Sequence, residues 1–192
     1  MPSLRIYLAG PDVFLANAAA IFDAKRKLCA DHGFVGVAPL DEHFDLSTLS
    51  KRDAALRISA HNEALIRSCN VLIANLTPFR GPSADVGTAY EMGFARALGL
   101  PVFAYSNVAG NLLERTRDHL GSRAKQRAAG GLEDADGMLI EDFERVDNLM
   151  LDGAVEARGT QIIVTPTPAD RRFVDLAGFE ACLKLAARHF AS

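Results

Sequence analysis

The chain has 192 residues, of which 49% are hydrophobic, and its formal net charge at pH 7 is -3. This length favours a single domain over residues 1–192 with a sizeable core. The sequence has no basic run that would suit nucleic acid or an anionic membrane, and no apolar stretch approaches the roughly 20 residues that span a bilayer.

The cysteines and the start of the chain favour a reducing compartment. Three cysteines lie far apart in apolar surroundings, and no pair has metal-ligand spacing: Cys29, Cys69 and Cys182. The histidines form no ligand-like cluster either. Because the sequence starts directly with a strand-like segment, we expect no signal peptide. The expectation is a cytoplasmic protein with buried free thiols and no bound metal.

Short apolar strands alternate with helices along the chain. In order, the pattern predicts strands at 4–9, 34–38, 71–74, 101–105 and 161–165, separated or followed by helices at 18–31, 54–68, 85–98 and 173–190. The inner stripe of the last helix is predicted to contain Phe173, Leu176, Leu183, Ala187 and Phe190. Strands that are apolar throughout and alternate with helices are typical of a parallel sheet covered on both faces. We therefore predict a doubly wound α/β fold with five parallel strands.

Residues 106–158 are the least regular part of the chain. They contain many glycines and charges, and only one helix is expected there, near 112–120. A long irregular insert in a compact domain is often functional or belongs to an interface. In doubly wound sheets, ligands bind beyond the carboxyl ends of the strands. The candidate site loops are therefore 10–17, 76–85 and 106–110.

The segment LTPFRGPSADVGTAYEMG at 76–93 is the most informative, since it follows a strand and opens a helix. Asp85 lies at the expected N-cap, and capping alone would explain it. Glu91 lies on a small, apolar helix face, where a carboxylate is costly unless paired and is a candidate for function. The alternative is that Glu91 lies at the edge of this apolar face and points to solvent. The two carboxylates lie about 9 Å apart along a helix axis, so a sugar would fit between them.

Other polar side chains also occupy apolar settings. Asn62 lies on an apolar helix stripe, where a structural hydrogen bond explains it as well as a ligand does. Tyr7, in the first strand, needs a partner for its hydroxyl if it is buried. After that strand, Asp12 and Phe14 suit a neutral, flat ligand. The sequence lacks the dinucleotide-binding, P-loop and nucleophile-elbow motifs.

Four segments together resemble the nucleoside 2-deoxyribosyltransferases. They are IYLAGPDVF at 6–14, the helix that carries Asn62, the stretch from PFRG to DVGTAYEMG at 78–93, and NLMLDG at 148–153. The D-V-G-x-x-x-E-x-G pattern is moderately specific alone and strong in combination with the N-L-M segment. The resemblance implies a flavodoxin-like fold. It also implies exchange of the base on a 2-deoxynucleoside, with retention and without a cofactor.

The resemblance also implies roles for single residues. Glu91 matches the nucleophile, Tyr7 the hydroxyl that orients its carboxylate, and Asp85 a residue that contacts the deoxyribose. Asn62 falls where the family has an acidic or amide residue near the base. An amide donates only a hydrogen bond, so the proton source for the leaving base stays open. Asn148 matches a residue that a neighbouring subunit supplies to close the pocket, which implies a homo-oligomer. The other residues expected to contact the substrate are Gly10, Asp12, Phe14 and Met150.

Two other functions stay open. A hydrolase of 2-deoxynucleosides or their 5′-monophosphates would share the fold and the glutamate. It would need a phosphate cradle, whereas the first loop lacks small hydroxyl residues and Asp12 would repel a phosphate. The second possible function is that of a non-enzymatic nucleoside-sensing module, which remains open because a fold does not determine a function. A sensor, however, has no use for a costly buried carboxylate. The sequence does not fix the preference between purines and pyrimidines.

Overall fold

A five-stranded parallel sheet organises the molecule. The computed structural model describes residues 3–39, 46–157 and 159–191. Its strands are Arg5–Ala9 (β1), Val35–Val37 (β2), Val71–Asn75 (β3), Val102–Ser106 (β4), Lys125–Gln126 (β5), Leu132–Glu133 (β6) and Ile163–Val164 (β7). The sheet has the order β2-β1-β3-β4-β7, and each of its pairings is parallel. The prediction of a flavodoxin-like α/β fold with five parallel strands is confirmed.

Helices cover both faces of the sheet. They are Ala18–Asp31 (α1), Lys51–Arg67 (α2), Val86–Ala97 (α3), Leu112–Leu120 (α4), Leu149–Glu156 (α5) and Ala177–Ala191 (α6). The core on one face is formed with α1 and α6, and the core on the other with α2, α3 and α5. None of the described helices is both long enough and apolar enough to cross a membrane.

The alternation of side chains along β1 decides which residues face the α3 side. Successive side chains of a strand point to opposite faces. Ile6 and Leu8 accordingly join the core beneath α1 and α6, whereas Tyr7 and Ala9 join the core beneath α2, α3 and α5. Tyr7 is fully buried there. Its hydroxyl therefore needs a partner on that face, and α3 is the helix that can supply one.

Two helices begin elsewhere than predicted. The start of α2 is three residues earlier, because the Ser50 hydroxyl oxygen caps it by accepting the N–H of Asp53 at 3.1 Å. The start of α6 is four residues later, because Asp175 Oδ1 accepts the N–H of Ala177 at 3.0 Å. The predicted inner stripe of α6 is therefore wrong at its ends, and the buried residues of this helix are Gly178, Phe179, Cys182, Leu183 and Ala186.

The irregular segment contains more structure than predicted. Its helix α4 has the predicted bounds and starts with a capping box between Asn111 and Glu114. The hairpin β5–β6 and the helix α5 were not predicted. The eight residues of α5 include Gly153 in the interior, and glycine is among the weakest helix formers. Packing of α5 against α3 and the sheet compensates for that weak local preference.

A buried ion pair joins α1 to the loop after β1. Lys25 Nζ lies 2.9 Å from Asp12 Oδ2, and the two side chains are 1% and 0% exposed. Lys25 Nζ is also 5.3 Å from the ring centroid of Phe179 and 5.8 Å from those of Tyr105 and Phe22, so three aromatic faces contribute cation–π attraction. Hydrophobic periodicity did not predict this residue, because lysine is almost never fully buried unless it is paired. The ion pair fixes the loop that leaves β1.

We expect Lys25→Met to reduce the free energy of unfolding by about 3–5 kcal/mol, because it leaves the Asp12 carboxylate buried without its counter-charge. The matched control is Lys27→Met on the same helix, whose partner Asp31 lies 3.0 Å away at the exposed surface. That change should cost less than about 1 kcal/mol. Urea unfolding of both variants measures the difference, and the double change Lys25→Met with Asp12→Asn should recover part of the loss. Equal losses for Lys25→Met and Lys27→Met would contradict the account.

Candidate active site

The sheet topology locates the candidate site beyond β1 and β3. From β1 the chain moves to β2 on one side and then crosses to β3 on the other. A crevice opens at such a switch point, beyond the carboxyl ends of the strands. Two predicted loops, 10–17 and 76–85, leave β1 and β3 at this edge. The third loop, 106–110, is held against the segment before α6. The side-chain amide of Asn107 donates to the backbone oxygens of Arg172 and Asp175 at 2.8 and 2.9 Å.

Tyr7 and Glu91 form a short hydrogen bond at this site. The Tyr7 hydroxyl donates to Glu91 Oε1 over 2.5 Å. Burial raises the pKa of the Glu91 carboxyl to about 7, the Tyr7 hydrogen bond acts in the opposite direction, and the charge of Asp85 raises it further. Burial and the charge of Glu91 hold the pKa of Tyr7 far above its usual range, so its hydroxyl stays the donor. Glu91 is therefore directed toward the sheet, and its side chain is partly buried.

Asp85 caps the helix that carries Glu91. Its Oδ2 accepts hydrogen bonds from the N–H of Thr88 at 3.0 Å and from the hydroxyl of Thr88 at 3.2 Å. Both bonds involve the same carboxylate oxygen. Asp85 is thus an N-cap, as its position in the sequence indicates, and it is also the negative charge that acts on Glu91.

A groove of about 370 Å³ lies between α2 and α3. Glu91 and Asn62 both line this α2–α3 groove, together with Glu63 and Tyr90. Asn62 Oδ1 is buried and has no hydrogen-bond partner among the described residues. The Tyr90 hydroxyl donates to Glu63 Oε1 over 2.5 Å, which gives the groove a second tyrosine–glutamate pair. Sequence reasoning missed that pair, although each member is the direct neighbour of a predicted site residue.

The residues predicted after β1 occupy different environments. Asp12 is fully buried and paired with Lys25, so its carboxylate is not exposed at the crevice. Gly10 packs tightly beside it, because a Cβ there would lie 2.3 Å from Asp12 Oδ2 and 2.8 Å from Asn75 Cβ. Phe14 is 54% exposed and stacks on Phe79 with ring centroids 5.1 Å apart.

The start of α5 lies apart from the α2–α3 groove of its own chain. Asn148 caps α5 by accepting the N–H of Met150 at 3.0 Å, and its amide donates to Glu141 Oε2 at 2.7 Å. Met150 is 71% exposed and lines a second cavity, of about 480 Å³, between α3 and α5. Neither residue lines the groove that contains Glu91.

A buried polar network connects α5 to the loop before α3. The Asp147 carboxylate accepts the N–H of Ala84 at 3.1 Å and that of Asn148 at 2.8 Å. Arg115 Nη2 lies 3.4 Å from Asp147 Oδ2, and its Nε donates to the backbone oxygen of Pro82 at 2.8 Å. The network therefore holds the residues directly before Asp85 and the residue at the start of α5. Sequence reasoning missed both charged residues, since Arg115 reads as an ordinary polar residue of α4 and Asp147 lies in an irregular segment.

Comparison with known proteins identifies the family. The model of the nucleoside 2-deoxyribosyltransferase family matches residues 6–150. This chain belongs to that family. A solved 2-desoxiribosyltransferase from Leishmania mexicana is 29% identical, with a TM-score of 0.68 over 97% of this chain and 98% of that chain. The match includes both loops at the crevice and the helix α3.

Two further relatives extend the comparison. An uncharacterized protein of Schizosaccharomyces pombe is 31% identical over 169 residues, which cover 83% of this chain and 80% of that protein. A conserved protein from Enterococcus faecalis V583 is 21% identical, with a TM-score of 0.51 over 96% of this chain and 99% of that chain, and it shares the fold. Membership of the nucleoside 2-deoxyribosyltransferase family supports an enzyme with nucleosides and bases as ligands.

Glu91→Gln should stabilise the protein near pH 8 and change its stability little near pH 4. The Glu91 carboxyl binds its proton more tightly in the folded state, where its pKa is about 7, than in the unfolded state, where its pKa has the ordinary value of 4.5. Its contribution to stability is therefore complete below pH 4.5 and is lost as the pH rises through 7. The expected gain from glutamine near pH 8 is on the order of 3 kcal/mol.

Urea unfolding at both pH values measures this effect. The control is Glu180→Gln on α6, where the hydrogen bond and charge of Lys184 lower the pKa of the exposed carboxyl, so no gain is expected near pH 8. A Glu91→Gln gain of the same size at both pH values would show that burial does not perturb this carboxyl.

Proposed function

We propose that this protein transfers the 2-deoxyribosyl group between nucleobases, with Glu91 as the nucleophile. The observation that carries the proposal is the 2.5 Å hydrogen bond from Tyr7 to Glu91, which lines the α2–α3 groove. The bond fixes the orientation of a partly buried carboxylate at the groove. A buried carboxyl whose pKa lies near neutrality is a candidate for catalysis.

The chemistry follows two displacements at C1′ of the sugar. Glu91 attacks C1′ through an oxocarbenium-like transition state, and the base leaves with the electron pair of the C1′–N bond. The sugar is then an ester of Glu91. A second base attacks C1′ on the face that the first base left, which releases the carboxylate and gives net retention. Tyr7 favours the ionised form of Glu91 and so keeps part of the protein in the nucleophilic state at neutral pH.

We assign the remaining site residues to binding of the deoxyribose and the base. We assign contact with the deoxyribose to Asp85, because it caps the helix that carries Glu91 and its charge acts on that carboxyl. We assign contact with the base to Asn62, which lines the same groove as Glu91. Phe14 would cover the base with its exposed ring, and Gly10 allows the tight turn on which Phe14 is carried.

We also infer a homo-oligomer in which Asn148 and Met150 of one protomer complete the site of its partner. Both residues lie outside the groove of their own chain. Met150 is 71% exposed and Val86, the first residue of α3, is 85% exposed, and exposed apolar side chains of this kind favour protein association. The three buried free cysteines support the expectation of a reducing, cytoplasmic location.

Incubation with 2′-deoxyinosine and free adenine tests the proposed reaction. We expect new 2′-deoxyadenosine, separated by chromatography, and a loss of at least about a thousandfold in Glu91→Ala, because removing a nucleophile abolishes the covalent route. Free base and deoxyribose without the new nucleoside would identify a hydrolase. No reaction with any deoxynucleoside donor would favour a sensing module. Full activity in Glu91→Ala would remove the basis of the mechanism.

Mixing two inactive variants tests the shared site. If Asn148 serves its partner, a co-expressed mixture of Glu91→Ala and Asn148→Ala protomers contains sites in which both residues are intact. A statistically mixed dimer should recover about a quarter of the wild-type activity. The matched control combines Glu91→Ala with Tyr7→Phe, which lie in the same chain's site and should give no recovery. Absence of recovery in the first mixture would place Asn148 in the site of its own chain.

A further inference from the structure

A second tyrosine–carboxylate pair joins the two walls of the α2–α3 groove. The Tyr90 hydroxyl, on α3, donates to Glu63 Oε1, on α2, over 2.5 Å, and both residues line the groove that contains Glu91. This hydrogen bond raises the pKa of Tyr90, so its hydroxyl stays protonated and remains the donor. The other carboxylate oxygen, Glu63 Oε2, accepts no hydrogen bond from the residues that the structure describes. Glu63 therefore has an acceptor left for a ligand in the groove.

A stacked contact one helical turn away holds this pair in place. The Tyr90 ring stacks on Phe94 with centroids 6.1 Å apart and an interplanar angle of 13°. The Arg67 guanidinium carbon lies 4.7 Å from the centroid of Phe94. Arg67 and Phe94 each follow the members of the pair by four residues, so both contacts between α2 and α3 lie on the same helix faces. The Glu63 carboxylate is thus oriented before a ligand binds.

Asn62 supplies a second free acceptor beside Glu63. Its Oδ1 is buried and has no hydrogen-bond partner in the described part of the chain. Buried polar atoms are nearly always hydrogen-bonded, so this oxygen calls for a donor on the ligand. Asn62 alone does not select a ligand, because its amide can turn to present either the oxygen or the NH2 group. An ionised glutamate has acceptors only, so Glu63 is the residue that can discriminate.

The two acceptors match an exocyclic amino group on the nucleobase. Adenine at N6 and cytosine at N4 each carry an NH2 group with two N–H donors, which can satisfy both consecutive residues of α2. Hypoxanthine has a carbonyl oxygen at the same position and one neighbouring ring N–H. It satisfies at most one of the two acceptors and places an oxygen against the carboxylate. An acceptor left unsatisfied in a protein site costs binding energy.

We propose that Glu63 is a specificity-determining residue that selects nucleobases with an exocyclic amino group over their oxo analogues. This inference rests on the proposed reaction at Glu91 and specifies which bases it exchanges. Glu63 accepts one N–H of the amino group and Asn62 accepts the other. Tyr90 is a positioning residue, which acts through its hydrogen bond to Glu63.

An equimolar mixture of 2′-deoxyadenosine and 2′-deoxyinosine tests the inference, with excess 2,6-diaminopurine as the common acceptor. The ratio of the initial rates at which adenine and hypoxanthine are released equals the ratio of the two kcat/KM values. This ratio does not depend on how much of a variant is folded. Wild type should release adenine at least about tenfold faster, because a hydrogen bond to a charged group is lost with the oxo base. Glu63→Gln should lower the ratio by about tenfold, since an amide can also donate to a carbonyl oxygen.

Two further variants separate the role of Glu63 from a general effect on the fold. Tyr90→Phe should lower the ratio by about threefold, because Glu63 keeps its charge but loses the neutral hydrogen bond that orients it. Glu180→Gln, the same change at a carboxyl of α6 outside the groove, should leave the ratio unchanged.

Several outcomes would overturn the inference. A wild-type ratio of one or less does so, and so does an unchanged ratio in Glu63→Gln, even when both rates fall. The reaction at Glu91 stands in either case. An unchanged ratio in Tyr90→Phe overturns the positioning role of that residue. If neither compound is consumed, the proposed reaction fails, and calorimetric titration with adenine and hypoxanthine decides the selectivity: wild type should bind adenine about tenfold more tightly, and equal affinities refute the inference.

Discussion

The hydrogen bond between Tyr7 and Glu91 is the interaction on which the site depends. A carboxylate removed from water is costly unless other groups compensate it, and the Tyr7 hydroxyl is the partner that β1 directs toward α3. The strands provide space on this face, because three residues aligned across β1, β3 and β4 are small: Ala9, Ala74 and Ala104. The alternation along three neighbouring strands thus produces both the tyrosine below the groove and the room around it.

Buried charges hold the two loops that border the crevice. Asp12 and Lys25 fix the loop after β1 from within the core. Asp147 and Arg115 fix the loop after β3 from the side of α5. Breaking one partner of such a pair costs more than the pair contributes, because the remaining charge is left uncompensated. The loops are therefore held in position before any ligand binds, which is the condition for orienting a sugar and a base against one carboxylate.

Local patterns in the sequence were sufficient to predict the five strands of the parallel sheet, the helix α3 with its cap at Asp85, and the family. Glu91 was identifiable because its helix neighbours are small and apolar. The direction of the Asp12 side chain was not predictable, since it depends on a lysine in the next helix whose burial no periodicity reveals. Asp147 and Arg115 escaped notice because they lie 32 residues apart, Arg115 in α4 and Asp147 in the irregular stretch before α5.

The central claim is that Glu91 carries the deoxyribosyl group between bases. Mass spectrometry of protein quenched in acid during turnover with a 2-deoxynucleoside tests it most directly. The account predicts that the peptide containing Glu91 gains the mass of one deoxyribosyl group, that added free base removes this adduct, and that Glu91→Gln shows none. Base exchange at the full rate with no adduct on any peptide, or an adduct on a different residue, would contradict it.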